Sequence, residues 1–324
     1  MNAKIIGVGS YLPEKILTNA DLEKMVDTSD EWITRRVGIK ERHICAEDEF
    51  ASDMAVKASD IAIKNSGLTA ADIDLVLCST VSAEMVTPTV SCIVQNKLGL
   101  VNSASMDLNA ACSGFVAGFV VAQQFIKSGT YKNILLIGTD TMSKYTDWTD
   151  RTSCVLFGDG AGAVVLTASN EGGIISFELG SDGTGGKNLS IPHLKYSEED
   201  LARRGGERKA TFWMDGSEVF KFAVRIMAES TKRIVNKAGL CIDDIDVIVP
   251  HQANVRVVDG AVKRLQIAPE KAFVNVQRTG NMSSASVAVA LAEAVMSGFI
   301  KKGDRVVLVG FGGGLTWASV LFEM

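Results

Sequence analysis

The chain has 324 residues, 47% of them apolar and 22% charged, with a formal net charge of −5. That length buries a large core, as one big domain or two intimately packed ones, and the acidic balance leaves no net positive field to attract nucleic acid. Six cysteines without a CxxC pair and only three histidines argue against a zinc site and fit a reduced, cytoplasmic protein.

The first run, "MNAKIIGVGSYLP", has no apolar core of signal-peptide length and reads as a short strand. No later stretch approaches the length of a bilayer span, so no membrane association is expected. A helix-period segment, "MAVKASDIAIK", leads into "NSGLTAADIDLVLCST" (65–80), a glycine turn followed by a buried strand. Next, "SASMDL" gives way to an apolar helix containing "VAGFVVAQQFI", which Gln123 and Gln124 mark as a core helix. "FIKSGTYKNILLIG" (125–138) adds a turn and another strand, and "FGDGAGA" (157–163) reads as a turn entering the strand "AVVLT". The charged stretch "YSEEDLARRGGERK" (196–209) reads as an exposed loop or hairpin.

The order then repeats. "NKAGLCIDDIDVIVPHQ" (236–252) aligns with residues 65–80, pairing Gly67 with Gly239, Asp72 with Asp244 and Asp74 with Asp246 at one offset. "FIKKGDRVVLVG" (299–310) likewise resembles 125–138. Two similar halves, 1–172 and 173–324, each alternate strands with helices, which predicts an internally duplicated α/β fold with a boundary at the turn-rich residues 167–174. If a pseudo-twofold axis relates the halves, the loops after "VLCST", "NAACSG", "VPHQAN" and "GNMSSAS" converge on one cavity.

Those loops carry the chemistry. Cys112 stands at a strand-to-helix elbow among Ala110, Ala111, Ser113 and Gly114, with room for an electrophile. A helix amino terminus there favours thiolate over thiol; the plain alternative is a buried structural cysteine. His251 follows a strand at the edge where open α/β sheets place ligands, and Asn281 precedes a small-residue helix, where a turn residue or cap is the simplest reading.

Taken together, "DEWITRRVGIKERHI" (30–44), "AACSGF", "FGDGAGA", "HQAN", "GN" at 280–281 and the terminal "GFGGGLTW" resemble the β-ketoacyl-acyl-carrier-protein synthase III family, the initiating condensing enzymes of type II fatty-acid synthesis. The resemblance runs over essentially the whole chain. It implies the thiolase-like fold with layered αβαβα architecture, a homodimer, and no metal or redox cofactor. It implies that Cys112 takes an acyl group from acyl-CoA and that malonyl-acyl carrier protein then decarboxylates and attacks it. By the same resemblance, His251 and Asn281 stabilise the decarboxylation enolate, while the N–H groups of Cys112 and Gly313 form the oxyanion hole. Elongating relatives use two histidines; His43 and His193 lie elsewhere in this pattern, which favours the CoA-primed class.

For CoA, the resemblance implies that Trp32 and Arg151 sandwich the adenine, Arg36 meets a phosphate, and Phe220, Ala253 and Asn254 line the pantetheine channel. Ser217 stands where relatives often have asparagine. Thr87 stands where some relatives have a bulky phenylalanine reaching across a dimer interface, so the acyl pocket is expected to admit longer or branched primers. An acidic carrier protein needs a basic patch, for which Lys221, Arg225, Arg256, Lys263 and Arg264 share helical faces; ordinary solvated faces are the alternative. Three rival functions remain open: a papain-type hydrolase, a thiolase-fold acyltransferase of secondary metabolism with another acceptor, and a non-enzymatic acyl-CoA-binding protein.

Overall fold

The computed structural model describes residues 1–324. Its first half contributes strands β1 (Asn2–Tyr11), β2 (Lys15–Thr18), β3 (Glu41–Ile44), β4 (Leu75–Ser79), β5 (Ala104–Leu108), β6 (Asn133–Thr141) and β7 (Asp159–Ser169). Helices α1 (Asn19–Leu22), α2 (Asp30–Val37), α3 (Ala51–Ser66), α4 (Val90–Lys97) and α5 (Gly114–Lys127) interleave with them. The second half contributes β8 (Gly173–Ser181), β9 (Leu189–Ser190), β10 (Trp213–Met214), β11 (Val247–Pro250), β12 (Arg305–Gly312) and β13 (Thr316–Glu323). Its helices are α6 (Glu198–Arg203), α7 (Gly216–Lys237), α8 (Val255–Leu265), α9 (Val276–Thr279) and α10 (Ala285–Met296).

Two mixed sheets result, ordered β1-β7-β6-β4-β5 and β11-β12-β13-β8, one from residues before 170 and one from residues after 172. Helices α5 and α10 lie between the sheets; α3 covers the outer face of the first sheet, and α7 and α8 the outer face of the second. This is the layered αβαβα thiolase-like fold. Sequence explains the layering. Helices α5 and α10 are apolar on nearly every side, as a helix sandwiched between sheets must be, whereas α7 is amphipathic and faces water on one side. Their side chains join both sheets into one core of Val, Leu, Ile, Ala and Phe.

The repeat is visible atom by atom. Gly67 and Gly239 each end a helix in the left-handed conformation at φ +73°. Asp74 accepts the N–H of Asn133 at 2.8 Å, and Asp246 accepts that of Arg305 at 2.8 Å, each bridging to the neighbouring parallel strand. Two expectations change in detail. Strand β7 begins inside "FGDGAGA", because Gly162 lets α10 approach so closely that a Cβ there would stand 2.4 Å from the Ala288 backbone. The charged stretch 196–209 contains α6, started by a Ser197–Asp200 capping box, where a loop or hairpin was expected.

Candidate active site

Strand β5 ends at Leu108, and Ala111, at φ +48°, turns the chain sharply into the short helical turn that carries Cys112 and runs on into α5. A non-glycine residue in that region is strained, and here it projects Cys112 from the elbow. The Cys112 amide faces the β12–β13 connection so closely that a Cβ at Gly312 would lie 2.5 Å from its nitrogen; only glycine fits. The N–H of the following Gly313 has no partner within the protein, and Gly313 lines the same cavity as Cys112. The two amides expected to bind an oxyanion are therefore neighbours in space.

His251 emerges at the end of β11, pinned by its N–H to Val309 at 2.8 Å, with its ring edge-on to Phe311 at 5.2 Å. Its Nδ1 is buried without a partner. With nothing to charge against, burial pushes the imidazole down to about 3, so it is neutral at any physiological pH. Asn281 sits between glycine-assisted turns. Gly280 adopts φ +68° and ψ −175°, a conformation open essentially to glycine alone, and the Asn281 N–H reaches Leu156 at 2.8 Å. The Asn281 Oδ1 accepts the Ser283 N–H at 2.9 Å, so its Nδ2 is left as the free donor.

Ser283 went unnoticed in the sequence. It holds φ +50°, and its hydroxyl accepts from the Cys112 thiol at 3.5 Å, tying the turn of Asn281 to the nucleophile. A left-handed serine among small residues leaves no sequence signature. Cys112 is partly open to the cavities, yet its surroundings are dense: burial pushes the thiol up to about 12, with Ser283 opposing. The expectation of a thiolate favoured by the helix end is thus corrected. Burial works against the helix terminus here, and the resting pair is neutral thiol and neutral imidazole.

Two cavities meet at this sulfur. One, of about 670 Å³, is lined by Trp32, Arg36, Ser217, Phe220, Ala253, Asn254, His251, Asn281 and Cys112. It gathers most of the expected CoA contacts with the catalytic trio. Arg151 stacks directly on Trp32 at 4.5 Å, too close for a base between them, so a sandwiched adenine requires Arg151 to swing out. The Ser217 hydroxyl donates to Asp215 at 3.0 Å and the Asn254 side chain caps α8. The other cavity, of about 610 Å³, opens from Cys112 past Leu108, Met142, Tyr145, Ile191 and Phe212. Met85, Val86 and Thr89 line it, but Thr87, between them, is exposed and does not. His193 lies on this second wall, nearer the site than its sequence position suggested, whereas His43 contacts the Pro13 carbonyl at 2.6 Å.

The five basic residues divide. Lys221 pairs with Glu218 at 2.8 Å, and Arg225 and Arg264 both reach Glu229, at 3.2 and 3.6 Å. Arg256 lies over the Phe220 ring and lines the same cavity, and both Arg256 and Lys263 are free of ion pairs. No cluster of three or more His, Cys, Asp or Glu side chains is placed to hold a metal ion, and no helix is long and apolar enough to cross a membrane.

Comparison with known proteins follows the same lines. Residues 106–183 match the family model described as 3-oxoacyl-[acyl-carrier-protein (ACP)] synthase III, and residues 235–324 match that of its C-terminal part. The beta-ketoacyl-[acyl-carrier-protein] synthase III of Listeria monocytogenes is 51% identical over 324 residues, covering 100% of this chain and 99% of the relative. That of Geobacillus kaustophilus is 52% identical over 321 residues, covering 99% and 98%. The crystal structure of 3-oxoacyl-[acyl-carrier-protein] synthase III from Aquifex aeolicus superposes with a TM-score of 0.93 at 42% identity, covering 99% of this chain and 100% of that one.

Proposed function

This chain belongs to the 3-oxoacyl-[acyl-carrier-protein] synthase III family, and from that membership we propose how its residues carry out the family's reaction. It is a condensing acyltransferase that initiates fatty-acid synthesis by decarboxylative Claisen condensation. The assignment of roles rests on one observation: two cavities, one reaching Trp32 and Arg36 and the other passing Leu108, Met142, Ile191 and Phe212, share a single sulfur, that of Cys112.

Acyl-CoA enters along the first cavity. Cys112 Sγ attacks the thioester carbonyl, the N–H groups of Cys112 and Gly313 hold the oxyanion, and the thiol proton leaves with CoA as its thiol. The acyl chain passes into the second cavity. Malonyl-acyl carrier protein then occupies the emptied channel, its carbon–carboxylate bond breaks, and the electron pair moves onto the thioester oxygen. His251 Nε2–H and Asn281 Nδ2–H stabilise that enolate without any charge to remove. The enolate carbon attacks the acyl carbon, and Cys112 departs as thiolate and takes up a proton.

Homodimerisation is part of this reading. Met85 and Val86, 55% and 85% exposed at the open end of the second cavity, give a second copy an apolar surface to cover. For the acidic carrier, Arg256 and Lys263 are the free cations. Lys263→Glu, outside the cavity lining, is expected to raise KM for malonyl-carrier protein several-fold while leaving KM for acyl-CoA in place, and Arg256→Glu, on the cavity wall, to raise both. An unchanged carrier KM would remove them from docking.

Incubation with a series of acyl-CoA primers and malonyl-carrier protein tests the whole. Carbon dioxide and a 3-oxoacyl-carrier product are expected, with primers longer than acetyl accepted. Free acid in place of condensed product would mean a hydrolase, and acetyl-CoA as the sole good primer would refute the roomy pocket.

A further inference from the structure

Asp140 lies near the carboxyl end of β6, fully buried, and lines neither cavity. Each of its oxygens accepts one backbone N–H: Oδ1 from Val81 at 2.8 Å, Oδ2 from Ser284 at 2.9 Å. The hydroxyls of Thr80 and Ser82 donate to Oδ1 at 3.0 and 2.8 Å, and that of Ser284 to Oδ2 at 2.8 Å. Burial pushes this carboxyl up and these hydrogen bonds pull it down. Because a backbone donor points at each oxygen, the ionised form is the one the site accommodates. Its charge is felt by Cys78, Cys112 and Tyr145, all neutral.

The internal duplication sharpens the point. Ser284 is the repeat counterpart of Cys112, each at the start of a central helix, and by the same offset the counterpart of Asp140 is Gly312. One central helix end is therefore gripped by a buried carboxylate. The other faces a bare glycine, which keeps negative charge away from the sulfur and its oxyanion. Asp140 grips the turn that carries Asn281 and the left-handed Ser283, and that strained turn needs a partner of this strength.

We propose that Asp140 is a positioning residue for decarboxylation, locking Ser284 so that Ser283 holds the Asn281 carboxamide in register with Cys112. The inference rests on the roles given above to Cys112 and Asn281. Asp140→Asn keeps the shape but turns an amide N–H2 toward one of the two backbone donors, releasing one side of the grip. Carbon dioxide release from malonyl-carrier protein is expected to fall about a hundredfold, while acylation of Cys112 by butyryl-CoA, followed by mass, stays within about threefold. Alkylation of Cys112 by iodoacetamide is expected to quicken, because a negative charge opposing the thiolate is gone. Ser284→Ala, which keeps the carboxylate and the backbone bond, should show the same split more weakly. Ser82→Ala, which also loses a bond to Asp140 but on the side away from the turn, should keep the wild-type partition between the half-reactions. If both half-reactions fall together in Asp140→Asn and Ser284→Ala, or neither falls beyond about threefold, Asp140 serves stability alone and the proposal is overturned. If wild-type protein performs neither half-reaction, the assigned roles themselves fail, and this inference with them.

Discussion

Cys112→Ser is expected to lower acyl transfer from acyl-CoA by at least about a thousandfold, with CoA binding and the unfolding transition retained. The argument turns on protons. A serine hydroxyl becomes a nucleophile only when a base of suitable strength takes its proton, and the one imidazole lining this cavity is held at about 3 by burial. Sulfur needs less help: even pushed up to about 12, the thiol is far more acidic than an alcohol, and it is also a better leaving group when the condensed product departs. The replacement is smaller than the thiol and fits the space, so folding is not at issue. Mass labelling of the wild-type chain by acyl-CoA, with no label on the serine variant, is the predicted pair of results. An acylated serine enzyme, or a loss under about tenfold, would show that a stronger base reaches position 112 than the geometry provides.

Geometry separates this site from a papain-type thiol hydrolase, whose resting state is a thiolate–imidazolium pair: here the Cys112 thiol donates to Ser283, and the His251 Nδ1 has no partner. Residue identity alone could not make that distinction, because Cys, His and Asn are common to both. What the sequence did disclose was placement. A strand ending before a Cys112 set among small residues, a strand ending before His251, and a repeat offset that superposes the two halves together predicted loops on one cavity, and the structure brings those loops together. Periodicity marked the amphipathic α7, whereas α5 and α10 were marked by near-continuous runs of apolar and small residues.

What escaped the sequence was the part fixed by tertiary contact. The Ser283 hydroxyl accepts from the Cys112 thiol and the Asp140 carboxylate accepts the Ser284 N–H, contacts spanning more than a hundred residues that nothing local marks. The thiolate expectation failed for a related reason: a helix terminus is visible in a sequence, but the desolvation that outweighs it is not. Ion pairing on α7 likewise could not be inferred from spacing, since Glu229 draws in Arg264 from α8 as well as Arg225 from its own helix.

Asn281→Asp is expected to cut malonyl decarboxylation by about a thousandfold, more than Asn281→Ala, while acylation of Cys112 continues. An aspartate retains the oxygen that accepts the Ser283 N–H, so the turn keeps its geometry. Yet it exchanges the free N–H2 donor for a carboxylate directed at the forming enolate. Alanine merely removes the donor, at a cost of about a hundredfold by comparison with other oxyanion donors. The partner donor, His251, predicts the pH behaviour. Because burial holds it at about 3, decarboxylation per folded molecule should be flat across pH 5 to 8, with no limb near the ordinary histidine value of 6.5. Stability should behave differently. The folded value lies below the unfolded one, so the share of stability contributed by the neutral ring is full above about 6.5 and is lost as pH falls toward about 3. A decarboxylation rate that instead titrated with an apparent value between 6 and 7 would place a protonatable imidazole in the reaction and remove the neutral-donor account.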